Sequence, residues 1–209
     1  MRADLNELLI LNNDLQLGLI KHAIFDFDGT ISILREGWEK IMEPVMIESI
    51  CGDHEPTSEI INDIRRFIDE TTGIQTILQM EGLVKMVREY GLVPEEKVLD
   101  AWGYKRIYND RLMVPVRERI EELESGSKTL EDYTLHGALK FCRTLDDRGV
   151  TMYLASGTDR NDVVNESEKV SAAQYFKGGI HGAIGTIEEY SKGNGIKEIL
   201  KAHRLSGPE

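Results

Sequence analysis

Cysteine is almost missing from this 209-residue chain. The two present, Cys51 and Cys142, are too few and too far apart to build a disulfide framework or a paired-cysteine zinc site, so a reducing cytoplasm is the expected setting. Basic residues are also scarce: 25 Lys and Arg face 37 Asp and Glu, a formal charge of −12. A polyanion would meet net repulsion rather than a counterion-releasing surface, which argues against nucleic acid as a partner. A secretory leader is not expected either. Asp4 and Glu7 fall where its apolar stretch would lie, and the longest apolar run near the N-terminus is Leu8 to Leu11. Internal repeats, low-complexity tracts and membrane-length apolar segments are lacking too. What remains is 41% hydrophobic and 30% charged, the composition of a soluble globular chain with the length of one domain or of a core plus a modest insertion.

Three zones follow from the hydrophobic period. Ala23-Ile24-Phe25 is an apolar burst after His22 that stops at Asp26-Phe27-Asp28-Gly29-Thr30, as a buried parallel strand does on reaching a polar loop. From about Leu34 to Leu130 the pattern is helical, with Ile60, Ile64, Phe67 and Ile68 on one stripe and Leu83, Val84 and Val87 on another. Breaks at Gly52-Asp53, Thr72-Gly73, Gly91 with Pro94, Pro115 and Ser125-Gly126-Ser127 divide it into five or six helices. A further helical stripe is Leu135, Ala138, Leu139, Cys142 and Leu145, closed by Gly149. The strand Val150 to Ala155 then delivers Ser156-Gly157-Thr158-Asp159 to a turn. Short strands are expected up to Ile187, and a helix from about Asn194 to His203. Helix, strand, polar loop, helix is α/β grammar, and open α/β sheets place ligands at the carboxyl ends of strands. Asp26, Asp28 and Ser156 are thereby expected to converge.

Carboxylates two positions apart on a strand share a face, yet a polar loop must carry both beyond the strand tip to one site, and Gly29 supplies the turn. Such a pair offers a nucleophile and an acid able to protonate a leaving oxygen and later deprotonate water, which suits phosphoryl transfer. The charge of the transferred group needs a divalent cation, a lysine, and hydroxyl or backbone N–H donors; Lys192, Ser156 and the Gly157 amide are candidates. Each piece has a plainer reading. A calcium loop wants its glycine at position six, whereas Gly29 stands fourth from Asp26. Ser156-Gly157-Thr158 alone is also a helix N-cap, and Lys192 alone an ordinary surface lysine.

The ordered combination resembles the haloacid dehalogenase-like (HAD) hydrolase superfamily. Its first motif looks like Phe25-Asp26-Phe27-Asp28-Gly29-Thr30, its second like Leu154-Ala155-Ser156-Gly157-Thr158, and its third, a lysine, like Lys192 in Tyr190-Ser191-Lys192-Gly193. The resemblance implies a Rossmann-like parallel-sheet core over 1–33 and 131–209, with a helical cap inserted at 34–130. The type is that of phosphoglycolate phosphatases and β-phosphoglucomutases. It further implies Asp26 as the nucleophile that becomes an aspartyl phosphate and Asp28 as general acid and base. Thr30, Ser156, Gly157 and Lys192 would bind the phosphoryl group, and Mg2+ would be held by Asp26 and the Asp28 backbone carbonyl. Asp28 points to phosphate esters rather than halides, because halide departure needs no proton. Arg35, Trp38, Thr72 and Gln75 are the candidates for facing the substrate from the cap.

The family's fourth motif, a strand ending in further acids, has no counterpart after His203. The chain is therefore expected to be a fragment of the core, with low metal affinity and low activity. The expected function is magnesium-dependent hydrolysis of a small phosphorylated metabolite in the cytoplasm. A phosphomutase, or a non-catalytic domain that binds phosphometabolites or a protein, stands beside it.

Overall fold

A computed structural model describes residues 18–184 and 192–204. Its centre is a parallel sheet in which β1 (His22–Phe25) and β3 (Gly179–Ala183) flank β2 (Thr151–Asp159). Phe25 is in register with Leu154, and Leu154 with Ile180. The tips of β1 and β2 therefore end side by side, and whatever follows Phe25 meets whatever follows Leu154.

Between β1 and β2 lie four long helices: α1 (Glu39–Cys51), α2 (Ser58–Glu70), α3 (Thr76–Tyr90) and α4 (Ala101–Ser125), then the single turn α5 (Leu130–Tyr133) and α6 (Ala138–Asp147). The stripe on α2 is buried at Ile60, Ile64 and Ile68, and that on α3 at Leu83 and Val87; each such side chain contributes about 1.5–3 kcal/mol when fully buried. Thr57 caps α2 by accepting from the Ile60 N–H, and Asp100 caps α4 by accepting from the Gly103 N–H at 2.7 Å. Gly91 and Gly126 end α3 and α4 in the left-handed region.

Pro115 does not break the chain as the sequence suggests. The helix α4 runs through it, because Leu112 and Val116 on either side are sealed in the core and their burial outweighs a helix-interior proline's cost of about 3 kcal/mol. The helical zone accordingly holds fewer and longer helices than expected. Leu135 also departs from its predicted stripe. It is half exposed, and its N–H donates to the Ile31 carbonyl at 2.9 Å, so the helix begins only at Ala138, after Gly137 at φ +81°.

After β2 come α7 (Arg160–Lys169), β3 and α8 (Lys192–His203). Helix α7 packs on β2 and β3, α6 on β2, and α8 on both β2 and β3. One apolar cluster joins the sheet to the helical zone, running from Met152 and Leu154 through Phe27 and Leu34 to Met42, Met46, Leu83 and Val116. Cys51 and Cys142 are free and buried. No described helix is long and apolar enough to cross a membrane. Residues 185–191, and with them the end of the expected strand region and Tyr190 and Ser191 of the third motif, lie outside the described residues, as does the N-terminal stretch 1–17.

Candidate active site

The turn after β1 is built on one carbonyl. Phe27, fully buried, anchors the loop, and its C=O accepts from the N–H groups of Thr30, Ile31 and Ser32 at 3.2, 2.9 and 3.0 Å. Gly29 takes φ +73° and donates to the Ser32 carbonyl at 2.8 Å. That conformation costs glycine little and an L side chain much more. It directs Asp28 back over the sheet tip, so Asp26 and Asp28 line the same cavity despite the buried residue between them.

On the neighbouring strand Ser156, 1% exposed, donates its hydroxyl to Asp28 Oδ2 at 3.2 Å. Thr158 donates to the same oxygen at 2.7 Å, while its own N–H donates to Ser156 Oγ at 3.0 Å. The expected convergence of Asp26, Asp28 and Ser156 is present, and with Gly157 they border a cavity of about 240 Å3. The sequence reading placed a turn at Ser156-Gly157-Thr158. The strand instead runs on to Asp159, with an irregular register between Ala155 and Asp159, and this keeps both hydroxyls on the Asp28 side. Thr158 is the residue that reading left without a role; alternation along a strand, which puts positions 156 and 158 on one face, is the signal for it.

Other expectations divide. Arg35, Trp38 and Thr72 do border the cavity. Gln75 is buried at the start of α3, and the Gly157 Cβ position lies 3.6 Å from its Cα and 3.9 Å from its Cγ, so Gln75 packs over the β2 tip. Thr30 stays within the turn and is not part of the cavity wall. Lys192 opens α8, but its side chain lies outside the described residues.

Arg35 is the fixed cation of the site. Its Nε contacts both Glu166 oxygens at 3.1 and 3.0 Å, and its Nη2 contacts Glu166 Oε1 at 2.6 Å and Asp162 Oδ2 at 3.3 Å. Asp28 Oδ1, buried and without a hydrogen bond, faces Arg35 Nε at 3.8 Å. Burial works against the Arg35 charge, but Glu166 first, then Asp28 and Asp162, outweigh it and hold the guanidinium above its ordinary pKa. Burial pushes the Glu166 carboxyl up, against the pull of Arg35. Burial likewise raises the Tyr108 phenol, which borders the same cavity.

Among the described residues no group of three or more His, Cys, Asp or Glu is gathered to hold a metal. Magnesium does not need one. It is held by one or two carboxylates, with substrate phosphate and water completing an oxygen shell, and the Asp26–Asp28 tip, with a buried carboxylate oxygen lacking a hydrogen bond, fits that donor chemistry.

No protein-family model and no curated protein matches the chain. Solved structures do. A hydrolase from Streptococcus pneumoniae, described as a haloacid dehalogenase-like family protein, is similar at a TM-score of 0.52 and 14% identity, over 91% of this chain and 72% of that one. A protein from Clostridium difficile, described as a candidate phosphatase, is similar at a TM-score of 0.51 and 15% identity, over 90% and 72%. Identities this low speak to the fold alone, which is similar to that of a haloacid dehalogenase-like family protein.

Proposed function

We propose that this HAD-like chain carries a phosphomonoester hydrolase site that works through an aspartyl phosphate on Asp26. The observation that carries the reading is that Asp26 and an Asp28 clamped by two hydroxyls from the adjacent strand border one cavity; residues 34–130, which supply much of its other wall, are assigned as the helical cap. A carboxylate whose only task was turn chemistry would not need both Ser156 and Thr158.

An Asp26 oxygen attacks phosphorus while the ester oxygen leaves and takes the proton of Asp28. Asp28, now ionised, accepts a proton from water, whose oxygen attacks the phosphoryl group; the Asp26 carboxylate is regenerated and inorganic phosphate departs. Ser156 and Thr158 hold the Asp28 carboxyl at a fixed angle through this exchange. The Gly157 amide and Lys192 are assigned to the phosphoryl oxygens. Magnesium, held by Asp26 and the Asp28 carbonyl, would offset phosphoryl charge. Thr72, Gly73 and Ile74, in the loop between α2 and α3, roof the cavity and limit water.

The test is acid-quenched mass spectrometry of the protein mixed with p-nitrophenyl phosphate and magnesium. A phosphoryl adduct on Asp26 is expected, together with phosphate release that chelation of magnesium and Asp26→Asn both abolish. Undiminished release by Asp26→Asn removes the assignment.

A further inference from the structure

The cap side of the cavity specifies the alcohol half of the ester. We propose that the leaving group is a small, uncharged molecule bearing hydroxyl groups, as in a polyol or aldose monophosphate, with no second anionic group; this rests on the phosphatase reading above.

Residues 34–130 are all described, and of those bordering the cavity Arg35 alone carries a charge. Three carboxylates, Glu166, Asp162 and Asp28, already stand within 4 Å of that guanidinium, so a second phosphate or a carboxylate on the substrate would find no unopposed cation on the cap wall. The uncharged groups point the same way. Tyr108 is 3% exposed and borders the cavity, and its hydroxyl makes no hydrogen bond among the described residues. Burial keeps that phenol protonated at neutral pH, where it can both donate and accept. Gln79, 5% exposed, ties its Nε2 to Thr71 at 3.2 Å, and its Oε1 accepts nothing among the described residues. Both residues border the cavity, so a phenol hydroxyl and an amide oxygen with no partner among the described residues stand open there to a ligand's hydrogen bonds.

The donor pattern decides between ligands. A hydroxyl can donate to Gln79 Oε1 and exchange a hydrogen bond with Tyr108, whereas a carboxylate or phosphate brings acceptors only and is repelled by that amide oxygen. Trp38 and Leu112 supply apolar cover for carbon faces. A cavity of about 240 Å3 lies below the roughly 300–1,000 Å3 of drug-sized sites, which keeps the molecule small.

The experiment titrates the Asp26→Asn protein, which cannot turn over, by calorimetry with magnesium present. The probes are inorganic phosphate, glycerol 3-phosphate, ribose 5-phosphate and glucose 6-phosphate, against phosphoglycolate and fructose 1,6-bisphosphate. At least one neutral-tailed ester should bind about tenfold or more tighter than phosphate, and both anionic-tailed esters no tighter than phosphate. Tyr108→Phe, nearly isosteric, should cut the neutral-tail preference about threefold to tenfold, the worth of one hydrogen bond. Tighter binding of the anionic-tailed esters, no neutral ester above phosphate, or a preference untouched by Tyr108→Phe each overturns the proposal while the phosphatase reading stands. If inorganic phosphate does not bind and the unsubstituted protein hydrolyses no ester, the underlying reading fails and this proposal with it.

Discussion

The Arg35 guanidinium and the Glu166 carboxylate, 131 positions apart in sequence, meet at 2.6, 3.0 and 3.1 Å with Glu166 wholly buried. The contact fastens the segment leaving the first motif to α7, and through it the base of the helical insertion to the sheet. It also fixes where a positive charge stands beside Asp28.

Removing Arg35 leaves the wholly buried Glu166 as an uncompensated charge, whereas removing Glu166 still leaves Arg35 beside Asp162 and Asp28. Arg35→Met is therefore expected to cost about 3–5 kcal/mol, read from urea denaturation, and Glu166→Ala less. The double change Arg35→Met with Glu166→Leu, which removes both charges and keeps much of the volume, should recover most of that loss. If the double variant is as unstable as the sum of the single ones, the ion pair is not the source of the cost.

Asp28 should matter in proportion to how badly the leaving group needs a proton. Asp28→Asn is expected to slow hydrolysis of an alkyl phosphate by about 10²–10⁴ and that of p-nitrophenyl phosphate far less, because nitrophenolate leaves unprotonated. Thr158→Val, which takes away the 2.7 Å donor, should show the same asymmetry in weaker form, about tenfold or more for a hydrogen bond to a charged group. Equal losses on both esters would contradict a general-acid role, and the check is kcat measured on the two substrates side by side.

Much of this arrangement was legible beforehand. The apolar run ending at Phe25, the acids after it and the run ending at Ala155 are local signals, and parallel pairing brings their ends together. Gly29 announced a turn because its conformation is local as well. What stayed hidden depended on contacts distant in sequence. Glu166 reads as a surface acid on α7 until Arg35 arrives from 131 positions away, and Pro115 reads as a break until the core closes around Leu112 and Val116. Thr158 reads as turn chemistry because Gly157 interrupts the apolar run, and alternation puts it on the face of Ser156 only once β2 continues to Asp159. That Tyr108 and Gln79 border one cavity is likewise a property of the assembled chain.

Two glycines near the site should respond in opposite ways to alanine. A Cβ on Gly182 would lie 2.5 Å from the Arg160 Cα and 2.8 Å from the Thr158 carbonyl oxygen, both backbone atoms that cannot rotate aside. Gly182→Ala is expected to cost about 1–3 kcal/mol and, by displacing Thr158, to slow alkyl phosphate hydrolysis. A Cβ on Gly157 would meet its nearest atoms, Gln75 Cα and Ile74 O, at 3.6 and 3.7 Å, which is ordinary contact, so its melting temperature should stay within the shift expected of about 0.5 kcal/mol. Thermal melts of the two variants decide the ordering, and a Gly157 variant less stable than the Gly182 one would contradict it.

Acid sensitivity should include the small device that re-enters the sheet. Asp132 Oδ2 accepts from the Thr129 N–H at 2.8 Å and from its hydroxyl at 2.9 Å, and these hydrogen bonds, backbone first, hold the carboxyl below the usual range. A carboxylate lowered in the fold binds fewer protons folded than unfolded as pH drops. Its contribution is therefore complete above the ordinary carboxylate value and disappears as pH falls through the folded one. Asp132→Asn should melt below the unsubstituted protein at about pH 7, and the gap between the two curves should close as the pH is taken below about 3. A gap that stays constant across that range would mean that the ionised carboxylate is not what steadies α5, and that the extended segment of Thr134 and Leu135, which pairs with the first-motif loop, is held by its backbone contacts alone.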